Sequence, residues 1–438
     1  MIDRYALPPV RDLWTERAQY ERWLEVECAV TAAWEGLGVA PAGTADRIRQ
    51  TAVIDVDDIH AIEATVDHDV IAFIKSATHA MGDEARFFHL GMTSSDVVDT
   101  ALGLALKQSG QLLQGQLDTL HSVLADQAVR YRSTVVVGRT HGIHAEPTSF
   151  GLKFLSWLAE TERNQERLAH AVDGVACGKI SGAVGNYANI DPRVEQLALG
   201  RLGLAASKCS TQIVPRDQHA EFVATLGLVG AQVERMATEI RHLQRTEVRE
   251  AQEPFKPGQR GSSAMPHKKN PILCERLCGM ARLLRGYVTA AYEDVALWHE
   301  RDISHSSVER VILPDAVMTT YYMLDRVTWL MEGLVVDADR MEANFAASHN
   351  LVYSQRVMLA LVERGMSREE AYTLVQGLAL TAWEHGADFR TLCAAEARIG
   401  ALLPAAELDA LFDPQYYLRN IGPIYARFGL DTAKEEQA

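Results

Sequence analysis

The chain has 438 residues, beyond the size at which a single hydrophobic core usually stops growing, so two or three domains are expected. Its 47% hydrophobic and 23% charged content is that of an ordinary soluble globular protein. A net charge of −15 argues against nonspecific binding to nucleic acid or anionic membrane, but leaves room for a local basic pocket holding a small anion.

The opening MIDRYALPPVRDLW carries acids and prolines and no apolar h-region, so no secretory signal is expected and the cytoplasm is the expected location. No apolar run is long enough to span a membrane. Up to residue 92 the pattern is of short helices, broken at Gly36–Gly43 and around His79–Gly91. Long helical periodicity follows over 97–131, 148–173, 217–250, 272–298 and 308–333. In 217–250 the apolar residues are Phe222, Leu226, Val229, Val233, Met236, Ile240 and Leu243, spaced by threes and fours. The 272–298 segment repeats this through Leu277, Leu284 and Val295, with Asn270-Pro271 as its expected N-cap and N1 pair. Helices this long need one another, so 93–340 is expected to form an elongated bundle. Strand signals are confined to Thr134–Val137 and Gln212–Val214. The last hundred residues read as short helices broken at Gly365, Gly386 and Pro404, with AKEEQA at the end expected to fray. The six cysteines are scattered without a CxxC pair and read as reduced thiols.

Five polar, helix-breaking stretches sit near the ends of these patterns: DHDVIAF (67–73), GMTSSDVVDT (91–100), GRTHGIHAEPTSFG (138–151), GSSAMPHKKNP (261–271) and WHERDISHSSVER (298–310). His141, His144 and Glu146 suggest a metal site, but Gly142 and Pro147 impose a turn that denies them helical i, i+4 geometry. An acid–base role for His141 suits an imidazole exposed on a turn, against the plain alternative of a histidine that only bonds backbone. Ser94 or Ser95 serves as a helix N-cap, or, with Thr93, binds a carboxylate at the helix start. Ser304, Ser306, Ser307, Arg301 and Arg310 form either a solvated turn or a phosphate grip. The 261–271 stretch is harder to explain as a linker: Ser262-Ser263 and Lys268-Lys269-Asn270 between glycine and proline breakers are what an anion-binding lid needs.

GSSAMPHKKNP resembles the signature of the fumarase/aspartase superfamily, whose members eliminate fumarate from substituted succinates. With RYALPPVRDLW, HDVIAF, FFHLGMTSSDVVDTA, GRTHGIHAEPTSFG, KISGAVGNYAN, STQIVPRDQHA, EIRHLQRTEV and WHERDISHSSVERVILPDA, the chain is most similar to the compact bacterial adenylosuccinate lyase family, from about residue 1 to about 430. The resemblance implies an all-α, three-domain lyase fold: 1–92, a central long-helix bundle over 93–340 carrying a catalytic loop at 258–271, and 341–438. It implies a homotetrameric core, with each active site drawn from three subunits. It also implies two reactions, adenylosuccinate to AMP plus fumarate and SAICAR to AICAR plus fumarate, without metal or cofactor. Another fumarate-releasing member, such as an argininosuccinate lyase, is the alternative.

The chemistry removes a proton next to a carboxylate and expels a nitrogen, so it needs a base, an acid and stabilisation of developing charge. The family pattern carries over Ser262 as base, with Ser263 the adjacent alternative, and His141 as acid. Lys268, Asn270 and Gln212 would hold succinyl carboxylates, with Thr93 and Ser94 at the other end. Arg4, Tyr5, Arg301, Ser306 and Arg310 would hold the phosphate and ribose. His68 and Asp69 match the family's His-Asp pair, His68 bonding phosphate or supporting His141. His89, His267 and Lys269 receive no role.

Overall fold

The computed structural model describes residues 1–430, and the AKEEQA tail lies outside the described residues. The first hundred residues build α1 (Pro8–Arg11), α2 (Glu16–Gly36), α3 (Thr44–Thr51), α4 (Val56–Val66) and α5 (Asp69–Thr78). Polar side chains set their starts: Thr15 accepts the Ala18 N–H to cap α2, and Asp55 caps α4. The long helices are α6 (Ser94–Arg130), α7 (Gly151–Val175), α9 (Asp217–Leu243), α10 (Ile272–Glu293) and α11 (Ser304–Glu332), with the shorter α8 (Pro192–Leu202) between. The 37 residues of α6 make a rod of about 55 Å at about 1.5 Å per residue. Helices α12 (Ala338–Ala346), α13 (Ser354–Glu363), α14 (Arg368–His385), α15 (Phe389–Ala395), α16 (Ala397–Gly400), α17 (Ala405–Ala410) and α18 (Gly422–Ala426) follow. Among the described residues, no helix is long and apolar enough to cross a membrane.

Packing groups the chain into two compact units, whose sequence boundaries fall within the five long helices. The first comprises Met1–Leu120, Thr161–Arg235 and Arg276–Thr328. Its short helices are held by an aromatic cluster in which Trp23 meets Tyr20 and Phe73 edge-on at 5.2 and 5.4 Å, beside Ile180 and Leu199. Burying each such ring contributes about 1.5–3 kcal/mol, against about 1 kcal/mol for a typical cap. Three polar side chains inside the helix packing pair with one another: Asn164 donates to Gln232 at 2.7 Å, and Gln232 donates to Thr161 at 2.7 Å.

The second unit comprises His121–Glu160, Met236–Glu275 and the described chain from Trp329. Val357, Leu361, Leu374, Phe389 and Ile399 form the core of its C-terminal helices. The buried Tyr425 donates to the Ala128 carbonyl at 2.9 Å, with the Arg132 guanidinium 4.7 Å from the centre of its ring. An antiparallel hairpin, β1 (Val135–Thr140) and β2 (Ile143–Ser149), also belongs to this unit.

Three expectations are corrected. The β-branched run at 135–137 is a strand, but so is 143–149, read from its Gly and Pro as turn alone; Pro147 sits opposite Val137, beside a bulge in which Ala145 and Glu146 of β2 oppose Gly138. Gln212–Val214 is not a strand, because the Val214 N–H is taken at 2.8 Å by the Asp99 carboxylate instead of a neighbouring strand. Finally, α9 stops at Leu243, the last residue of its apolar series but short of the expected 250, and α10 stops at Glu293, short of Val295 and the expected 298. Arg249, with φ of 54°, turns the chain after α9 so that Glu250 reaches its buried partners, and Val295, past the end of α10, is exposed.

Candidate active site

In the first unit, α6 begins at Ser94 with Asp96 folded back onto its start, the Asp96 carboxylate accepting the Thr93 N–H at 2.8 Å. Neither Ser94 nor Ser95 is the cap; Ser95 is buried, whereas the Thr93 and Ser94 side chains are half-buried. Asp96 is itself buried against the Lys179 ammonium, and also accepts the Ser181 and Gly182 N–H groups at 3.0 and 3.2 Å. A carboxylate at a helix start is stabilised there by the unpaired amides and the dipole.

His68 caps α5, its Nδ1 accepting the Ile71 N–H at 3.4 Å, which leaves Nε2 as the ring's donor. The adjacent Asp69 is ion-paired with Arg310 on the first turns of α11, and Arg310 Nε points to Ser306 Oγ at 3.5 Å. Thus Asp69, Ser306 and Arg310 come together, whereas Arg4 is exposed with no hydrogen-bonded partner among the described residues. Tyr5 stands edge-on to Tyr322 at 5.2 Å. Gln212 and Arg301 meet directly: Arg301 Nη1 donates to Gln212 Oε1 at 3.1 Å, and the Gln212 N–H donates to the Glu300 carbonyl at 3.3 Å.

Behind Gln212 lies a charge cluster that sequence reading missed. Arg216 forks onto Asp99 with two bonds of 2.9 Å and reaches Glu309 at 2.5 and 3.2 Å. Burial works against ionising Asp99, but the Arg216 guanidinium and the Val214 N–H overcome it and hold Asp99 below its ordinary value. Glu309 is pushed up to about 7 by burial, and Asp99 and Asp294 add to the rise against Arg216. Burial, then Arg216, drives His219 down to about 3 and His305 to about 4, so both imidazoles are neutral at pH 7.

In the second unit, His141 and Gly142 form the two-residue connection between paired Thr140 and Ile143, with φ of 56° and 79°. Two successive positive φ values are the type I′ pattern whose twist suits a hairpin, and Gly142 fits it without strain. His141 is therefore displayed at the tip, exposed, and its ring has no hydrogen-bonded partner among the described residues. The hairpin is anchored below by Arg139, whose fork to the fully buried Glu250 measures 2.8 and 2.6 Å; Asn344 completes Glu250 at 2.9 Å. Opposite Arg139, His144 is held below its ordinary pKa by burial and that guanidinium.

The 258–271 segment is a loop with a clasped neck. A Cβ on Gly261 would lie 2.0 Å from the Lys268 carbonyl oxygen, so only glycine allows the two limbs to close. The Asn270 amide donates to the Gly261 carbonyl at 2.9 Å, and Gln244 donates to the Lys269 carbonyl at 3.0 Å. Asn270 is thus not the cap of α10. That role belongs to the buried Glu253, which accepts the Leu273 and Cys274 N–H groups at 3.2 and 2.6 Å. Within the loop, Ser262 Oγ accepts two backbone N–H groups, from Ala264 at 3.2 Å and Met265 at 3.1 Å. Ser263 and Lys268 are exposed, and His141 and Ser262 are not hydrogen-bonded to each other. Among the described residues, no three His, Cys, Asp or Glu side chains are grouped to hold a metal ion.

A lyase family profile matches residues 4–286, and one for an adenylosuccinate lyase C-terminus matches residues 350–428. The chain is 53% identical to the adenylosuccinate lyase of Thermotoga maritima, over 98% of this chain and 99% of that one. The chain belongs to the adenylosuccinate lyase family. Its identity to the Bacillus subtilis adenylosuccinate lyase is 47%, over 98% of this chain and all of that one. The crystal structure of a fumarate lyase from Mesorhizobium sp. BNC1 superposes with a TM-score of 0.90 at 26% identity, covering 98% of this chain and 99% of that one.

In this adenylosuccinate lyase family chain, His89 has a structural partner. The buried Glu27 carboxylate accepts both the His89 N–H at 2.8 Å and a hydrogen bond from its Nδ1 at 2.7 Å. Burial alone would lower the imidazole pKa, but Glu27 overcomes that and raises it above 6.5. Because the folded value exceeds the unfolded one, the stabilisation is complete below about pH 6.5 and is lost as pH rises through the folded pKa. Thermal midpoints measured from pH 6 to 9 are expected to decline more steeply for the natural protein than for Glu27→Gln; parallel slopes would contradict the pairing.

Proposed function

We propose that the protein cleaves adenylosuccinate to AMP and fumarate, and SAICAR to AICAR and fumarate, by β-elimination. The observation that carries this reading is Ser262, whose Oγ accepts two backbone N–H groups in a glycine-necked loop. Serine is a weak base, and two fixed donors stabilise the negative oxygen it must carry. Ser262 takes the proton from the carbon beside the succinyl carboxylate, the electron pair becomes the fumarate double bond, and the C–N bond breaks. His141 delivers a proton to the departing nitrogen. Lys268, Asn270 and Gln212 hold the succinyl carboxylates, with Thr93, Ser94 and Ser263 completing their surroundings. Arg4, Tyr5, His68, Asp69, Arg301, Ser306 and Arg310 take the phosphate and ribose.

This reading includes three domains in chain order, 1–92, 93–340 and 341–438, and a cytoplasmic homotetramer. In the tetramer, copies of the chain supply different segments to each site. The test is fumarate release by the purified protein from adenylosuccinate, SAICAR and argininosuccinate. The first two should be cleaved, and His141→Ala should lower kcat by about 10²–10⁴-fold. Turnover of argininosuccinate with none of adenylosuccinate would overturn the assignment.

A further inference from the structure

We propose that Arg216, clamped between Asp99 and Glu309, is a positioning residue that sets Gln212, and the Arg301 bonded to it, for the substrate, Gln212 toward a succinyl carboxylate. It rests on the fumarate-releasing reading of the site. A guanidinium has five N–H donors, and Arg216 makes five bonds: two to Asp99, two to Glu309 and one from Nη1 to the Val214 carbonyl at 2.8 Å. Its side chain is 2% exposed, so none of this geometry is left to solvent.

The three anchors lie on three separate segments, each bearing groups assigned to the substrate. Asp99 is on the first turns of α6, after Thr93 and Ser94; Val214 is two residues from Gln212; Glu309 is in the turn that presents Ser306 and Arg310. Asp99 also takes the Val214 N–H at 2.8 Å, so the 212–216 backbone is fixed at both its amide and its carbonyl. Ahead of the clamp, Arg301 occupies Gln212 Oε1, which leaves the amide NH₂ as the donor for a carboxylate.

Stability alone does not account for this arrangement. A buried ion pair is often replaceable by apolar residues without loss, and here two carboxyl groups crowd one guanidinium in a dry site, which burial resists strongly enough to raise Glu309. Asp294, also buried, has Oδ2 without a partner among the described residues, as does Nδ1 of the neighbouring His219. What the cluster does supply is a planar fork of fixed geometry, which lysine cannot reproduce.

Glu309→Gln keeps the volume but places an NH₂ against Arg216, where one acceptor was. The expected result is a KM for adenylosuccinate at least tenfold higher, kcat within about threefold, and an unchanged thermal midpoint. In the ligand-free protein, amide exchange at 212–214 should quicken at least tenfold while that of α9 stays as in the natural protein. Arg216→Lys should not restore either property, since charge without the fork is insufficient. Unchanged exchange at 212–214 would overturn the clamp. Faster exchange with unchanged KM, or losses of kcat that follow the thermal midpoint, would overturn its role toward substrate. If the natural protein fails to cleave adenylosuccinate, the functional reading fails by itself, and the exchange measurement still reports on the clamp.

Discussion

Ser262→Ala is expected to lower kcat for fumarate release by about 10²–10⁴-fold, the usual contribution of a positioned acid or base. The neighbouring Ser263→Ala should stay within about tenfold of the natural protein. The sequence offers two adjacent hydroxyls and no reason to prefer either. The structure separates them: Ser262 Oγ is half-buried and accepts two N–H groups, whereas Ser263 is exposed and unbonded among the described residues. Donors aimed at an oxygen favour its anionic form, so only Ser262 has surroundings suited to a base. The thermal midpoint should hardly move, because the substitution is in an exposed loop whose neck is closed independently by Asn270 and Gly261. Steady-state assays of both variants decide the matter; a small effect at Ser262 and a large one at Ser263 would reverse the assignment.

The largest stability effect is expected at Lys179. Its ammonium and the Asp96 carboxylate are both completely buried, and the ammonium also reaches the Gly182 carbonyl at 3.2 Å. Lys179→Met fills the volume but leaves a buried carboxylate without its counter-ion, which typically costs about 3–5 kcal/mol. The carboxylate retains three backbone N–H groups, from Thr93, Ser181 and Gly182, which limits the loss. Adding Asp96→Asn removes the stranded charge, so the double variant should be less damaged than the sum of the single ones. Urea unfolding measures this directly, and additive effects would show that the two groups do not interact. The start of α6 should loosen in parallel, since Asp96 is what holds the Thr93 amide.

Both effects arise where sequence pattern is least informative. The apolar spacing of Phe222, Leu226, Val229 and Val233 made α9 legible, and all four are buried. Periodicity says where a helix packs but not where the chain must leave it, which is why α9 and α10 end early to bring Glu250 and Asp294 inward. The 261–271 motif identified the loop from its residue types, whereas its closure depends on contacts between Gly261 and the residues seven and nine positions on. Asp69 and Arg310, and Gln212 and Arg301, were all expected at the substrate but not as direct partners, because those pairings span 241 and 89 residues. The Arg216 cluster had one faint signal: Asp96 and Asp99 stand three apart among the apolar Val97, Val98 and Ala101 at the start of α6, where buried acids require cationic partners. Glu253 had none, because a cap supplied from twenty residues upstream leaves no local mark.

The two-residue connection at His141 also determines which changes of chain length the protein can tolerate. Strand side chains alternate between faces, so inserting or deleting one residue between Thr140 and Ile143 would turn β2 over relative to β1. Pro147 and Ser149, now buried, would face outward, and His141 would lose the backbone angles that display it. The stretch after Ser262 is constrained in another way, since an extra residue before Met265 would shift the Ala264 and Met265 amides that donate to Ser262 Oγ. At the hairpin tip and at the Ser262 turn alike, related chains are therefore free to change by substitution but not in length.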